Sequence, residues 1–106
     1  MATGRLGIAD LAGGVNTSLY TVPANTFSIV SLNMVNRGYT ALAVRVAVCS
    51  TATPSAAEWI EYDVELLSKG VLERTGIAMA AGQILVVYSS AVSVSAVCFG
   101  IETSTA

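Results

Sequence analysis

The chain has 106 residues, of which 54% are hydrophobic and 11% charged, with a net charge of −2 and no histidine. An average soluble domain carries roughly 25% charged residues, so this surface is poorly protected: either the chain is a membrane protein, or it aggregates, or copies of itself or partners cover much of its exterior. The missing histidine excludes serine triads and His-based zinc sites, and five scattered cations argue against a nucleic-acid partner.

The length is that of one domain, residues 1–106. Residues 1–11 place Leu6, Ile8 and Leu11 among Gly4 and Gly7, and read as a short first strand or an N-terminal arm. The opening MATGRLGIAD has no basic stretch followed by an apolar core, so no export signal is read and synthesis in a cytoplasm is expected. Gly13-Gly14 marks a turn. Residues 17–22 read as a strand, closed by the turn chemistry of Val22-Pro23-Ala24-Asn25. In residues 27–35, Phe27 and Ile29 share one parity while Val30, Leu32 and Met34 share the other, which predicts a bulge near Val30 or a strand buried on both faces. Asn36-Arg37-Gly38 is then expected to close a hairpin with residues 40–49.

That next stretch, TALAVRVAVC, has two unlike faces. Leu42, Val44, Val46 and Val48 form a core side, whereas Ala41, Ala43, Arg45, Ala47 and Cys49 form a small, almost uncharged side suited to lie against something flat. Its apolar run 41–49 and the run 77–88 are broken by Arg45 and by Gly82-Gln83 and fall short of a membrane span, which needs roughly 20 residues. Residues 50–57 are loop-like around Pro54. Residues 59–66 alternate Ile60, Tyr62, Val64 and Leu66 against Trp59, Glu61, Asp63 and Glu65. Ser68-Lys69-Gly70 turns the chain, residues 71–77 read as a strand, and residues 84–89 and 91–101 read as a closing pair joined by Ser89-Ser90. About seven to nine short strands, spaced by about 8 to 12 residues, predict an all-β fold: a single-domain antiparallel β-sandwich, jelly-roll or Ig-like, with a small barrel as the alternative.

Few residues suggest chemistry. Cys49 and Cys98 lie in apolar strand patterns and read as core-filling thiols, with neither a zinc spacing nor an identifiable activating base. Glu61, Asp63 and Glu65 could ligate calcium or act as paired carboxylates, against the plainer reading of a solvated face pairing with Arg45 or Arg74. Trp59 beside them reads as a core or interface anchor, or as a platform for sugar stacking. Glu73 and Arg74 form a polar island between glycines, either an ion pair at a subunit contact or the charged defence of an edge strand. No cofactor and no metal site is expected.

A series of segments keeps a telling order: Gly4-Arg5-Leu6-Gly7, Tyr20-Thr21-Val22-Pro23-Ala24-Asn25-Thr26, Val35-Asn36-Arg37, Trp59-Ile60-Glu61-Tyr62-Asp63, Gly70-Val71-Leu72-Glu73-Arg74-Thr75-Gly76 and Phe99-Gly100-Ile101-Glu102. In this the chain resembles small virion structural proteins of tailed bacteriophages, notably those infecting cyanobacteria. The resemblance implies a β-sandwich that docks onto a symmetric particle, with the major capsid protein or another virion protein as partner, and it carries over no catalytic or binding residue. The expectation is therefore a non-enzymatic virion protein, a capsid decoration or cement protein that stabilises the shell by surface burial and forms homo-oligomers. Its contacts are expected at Arg5, Leu6, Ile8, Trp59, Glu73 and Arg74. The alternatives are a tail, baseplate or fibre-adaptor component, or a carbohydrate-binding receptor-recognition module built on Trp59, Tyr62 and the carboxylate row.

Overall fold

A computed structural model describes residues 3–105. They form eight strands: β1 (Thr3–Leu11), β2 (Asn16–Thr21), β3 (Thr26–Asn36), β4 (Leu42–Cys49), β5 (Trp59–Leu66), β6 (Val71–Met79), β7 (Ile84–Ser89) and β8 (Val94–Ser104). Two antiparallel four-stranded sheets face each other, sheet I in the order β1-β8-β3-β6 and sheet II in the order β2-β7-β4-β5. The pairings nest: β1 with β8, β2 with β7, β3 with β6 and β4 with β5, joined into sheets by β3 with β8 and β4 with β7. This is the doubled Greek key of a jelly roll and not the strand order of an Ig-like sandwich.

Two expected hairpins do not form. β3 and β4 belong to different sheets, as do β7 and β8, so the chain crosses the sandwich at Asn36 and again after Ser89. Side chains hold both crossings. Asn36 is fully buried, its Nδ2 donating to the carbonyls of Thr40 (2.9 Å), Leu66 (3.1 Å) and Leu67 (3.2 Å), while its Oδ1 accepts from the Gly38 N–H (2.9 Å). The Ser89 hydroxyl donates to the Ala91 carbonyl at 2.7 Å. Such corners satisfy buried backbone groups that a tight turn would otherwise have paired.

The core between the sheets follows the period-2 pattern. Leu32 and Met34 of β3, Val44 and Val46 of β4, Leu85 and Val87 of β7, and Val94, Ala96 and Cys98 of β8 are all fully buried in one cluster. Each large aliphatic side chain so placed contributes about 1.5 to 3 kcal/mol. Burial also pushes the Cys98 thiol up to about 11, which keeps it an inert neutral filler. Charged and polar bridges close the sandwich where the sheets meet. Arg74 of β6 reaches Glu61 of β5 at 2.7 Å, and the Tyr20 hydroxyl of β2 meets Ser28 of β3 at 2.7 Å and donates to Glu102 of β8 at 2.5 Å.

β3 settles the question posed by its two apolar parities. It contains no extra residue; the register shift near Val30 lies across from it, where Thr75 and Gly76 of β6 make the bulge and Gly76 takes φ +69°. Val30, Leu32 and Met34 point inward, while Phe27 and Ile29 point outward and stay exposed. β3 is thus an ordinary one-face-buried strand whose other face happens to be apolar.

Candidate functional site

Outward parity on sheet I collects more apolar side chains than β3 alone supplies. Ile29 stands opposite Ile101, Ser31 opposite Phe99 and Arg5, and Asn33 opposite Val97 and Ile8. Val71, Phe27, Ile29, Phe99, Ile101 and Ile8 all lie on this surface with exposures from 38% (Phe99) to 58% (Ile8). β3 and β8 are drawn together beneath it at Gly100, where a Cβ would stand 2.2 Å from the Ile29 carbonyl oxygen. In the middle of the face, Asn33 Oδ1 is buried and has no hydrogen-bond partner, the one such side-chain atom among the described residues.

Charge is confined to the margins. Arg5 and Asp10 lie on the β1 edge and Glu73 on the β6 edge. Asp10 is taken by Arg37 at 2.5 Å. Of the four arginines, Arg37, Arg45 and Arg74 each hold a carboxylate; Arg5 has no such partner among the described residues, and neither has Glu73.

Sheet II presents a different surface. The small side of β4 lies against the protein itself: Ala47 and Cys49 are buried together with Val86 under Trp59 and Ile84. The neighbouring loop is fastened by Glu58, whose carboxylate accepts from the backbone N–H groups of Ser50 (3.0 Å) and Ser55 (2.9 Å). Those bonds lower the Glu58 carboxyl, while burial and the nearby Glu58 raise the Cys49 thiol. Part of the flat partner expected from the sequence is therefore the chain's own Trp59.

β5 departs from its apparent alternation at two register shifts, one of them around Asp63, which adopts φ 51°. Glu61 turns to the sandwich edge to meet Arg74, and Asp63 grips Arg45 through contacts of 2.6 Å and 3.3 Å that hold the guanidinium charged. The carboxylate row is thereby dispersed, and among the described residues no group of three potential ligands surrounds a metal position. Glu61 and Asp63 thus pair with Arg74 and Arg45, as the plainer reading of those two acids expects. The Arg45 guanidinium also lies 4.3 Å from the centre of the Tyr62 ring and 4.5 Å from that of Tyr88, and Trp59 meets Tyr62 edge-on at 5.3 Å. Ala56, Trp59 and Tyr62 line a shallow hollow there.

The six residues singled out from the sequence fall into separate places. Arg5, Ile8 and Glu73 lie on the outer face of sheet I, Leu6 is shifted by the β1 bulge and packs against the core, Arg74 bridges the sheets, and Trp59 sits on sheet II. Phe27, Ile29, Phe99 and Ile101 were the missed members of the sheet I face; the equal parity of Phe27 and Ile29 was the signal for them. No family model, curated protein or solved structure matches the chain.

Proposed function

We propose that the chain is a non-enzymatic structural component of a phage virion, a capsid decoration protein that attaches through the outer face of sheet I. The carrying observation is the exposed apolar surface of Phe27, Ile29, Phe99 and Ile101 with charge only at its rim. Four strands about 4.8 Å apart and about nine residues long cover about 600 Å², close to the roughly 800 Å² per partner of a stable interface. A solvated antiparallel face would carry alternating polar residues, so an apolar one loses most by remaining wet. The jelly-roll order recurs in viral capsid domains, a fold-level analogy that agrees with the sequence resemblance.

Purified particles decide the matter: the chain is expected at hundreds of copies per particle, with sheet I against the shell. A dozen copies or fewer would move it to the tail, and its absence from particles would overturn the proposal. A second reading, glycan recognition at Trp59, Tyr62 and Ala56, is favoured by the exposed aromatic corner lining a hollow. Titrating host polysaccharide against the fluorescence of the single tryptophan tests it; an unchanged spectrum ends it.

A further inference from the structure

Sheet I is complementary to itself. The ladders set Arg5 level with Ser31, and Glu73 level with Asn33, two residues further along and on the opposite edge of the sheet. A second copy turned by a two-fold axis parallel to the strands lays β1 over β6 and β8 over β3. Heights along the strands are unchanged by that rotation. Each Arg5 then faces Glu73 of the other copy with an offset of about 7 Å along the strand, within reach of both side chains across sheets about 10 Å apart. Ile101 lies over Ile29 of the other copy, and Phe99 over the small Ser31, because each pair shares one register height. The alternative axis, across the strands, stacks β1 on β1 and brings the two Arg5 edges together.

We infer that sheet I pairs face to face with sheet I of a second copy, closed by two reciprocal Arg5–Glu73 ion pairs around an apolar centre of Ile29, Ile101 and Phe99. This rests on the reading of sheet I as a contact face and names what covers that face in the free protein. Two observations choose a second copy over another partner: Arg5 and Glu73, neither with an ion-pair partner among the described residues, lie on opposite edges that a two-fold mate brings together, and the face, at about 600 Å² per copy, reaches the low end of what a stable interface buries. Such a dimer is the state of the free chain, and the shell displaces the second copy from the same face on attachment.

Sedimentation equilibrium on the full chain tests the pairing. The wild type is expected to dimerise, Arg5→Glu and Glu73→Arg each to raise the dissociation constant by about tenfold or more, and the doubly exchanged chain to return to within about threefold of wild type. Both positions are exposed, so circular dichroism should show all four proteins folded. A wild type that stays monomeric at millimolar concentration, or a double exchange without rescue, overturns the inference. Ile101→Asp separates the two readings. If the wild type is monomeric yet Ile101→Asp still blocks incorporation into particles, self-pairing falls and attachment through sheet I stands. If the wild type dimerises, the charge exchange rescues it, and Ile101→Asp, monomeric through the loss of its apolar centre, still enters particles, self-pairing stands and attachment through sheet I falls.

Discussion

Asn36→Ala is the sharpest test of how the jelly roll is held at its corner. The side chain is wholly buried and makes four contacts: three donated from Nδ2 to the carbonyls of Thr40, Leu66 and Leu67, and one accepted from Gly38. Two amide hydrogens serve three acceptors, so the loss amounts to about three hydrogen bonds at about 1 kcal/mol each, plus a share of the cost of leaving carbonyls unpaired. The expected destabilisation is about 3 to 4 kcal/mol, a large part of the roughly 5 to 15 kcal/mol that holds a domain of this size. Urea unfolding followed by Trp59 fluorescence should show the midpoint falling by about 2 to 3 M for an m-value near 1.5 kcal/mol/M. Asn36→Asp should be worse, since it keeps the acceptor for Gly38 but turns a negative oxygen toward three carbonyls. A loss below about 1 kcal/mol, or an Asp variant milder than the Ala variant, refutes the account of the corner.

Gly100→Ala forces a Cβ to within 2.2 Å of the Ile29 carbonyl oxygen, against backbone that has no room to yield, and should cost about 3 kcal/mol or more in thermal or urea unfolding. The Glu58 carboxyl is held below its ordinary 4.5 by the Ser55 and Ser50 N–H groups, so its contribution is complete above that pH and is lost as pH falls through the folded value. In a Cys98→Ser background, Cys49 should accordingly become reactive to an acid-active disulfide reagent only once the pH falls below the ordinary carboxyl range, and Glu58→Gln should remove that pH dependence. Tyr20, pushed up to about 12 by burial and by Glu102, favours the fold while neutral; the contribution is intact below 10 and lost as pH climbs toward 12. Ultraviolet titration should find a late tyrosine ionisation that coincides with unfolding, and Tyr20→Phe should remove that alkaline step.

The alternation of Val44, Val46 and their equivalents was enough to give strands and a sandwich, because parity reports which side of a sheet faces the core. Parity does not report which sheet a strand joins. Hence the connection at Asn36 looked like a hairpin, and only the buried amide, whose partners come from residues 66 and 67, shows why it crosses instead. The β5 pattern misled for another reason: Asp63 takes a left-handed conformation without being glycine, so the shift that separates Glu61 from Asp63 leaves almost no trace in residue types. Leu6 packs against the core because the β1 irregularity next to it turns it inward, a shift that residue types alone do not announce. The sheet I face was half visible, as Phe27 and Ile29 lay on the wrong parity for the core. Its other half comes from β8, some seventy residues away, and required the register to be known.

The nesting of the ladders also dictates a timetable. Thr3 pairs with Ile101, so β1, made before the other seven strands, must wait for the last of them, while β4 and β5, neighbours in the chain, can meet early. Assembly is expected to run from the middle outward and to finish only after synthesis of β8, on the millisecond-to-second scale of strongly non-local β topologies. A nascent chain stalled before β8 leaves β1 and β3 with open edges and apolar flanks, a ready substrate for misassociation and for the chaperones of the cell that makes it.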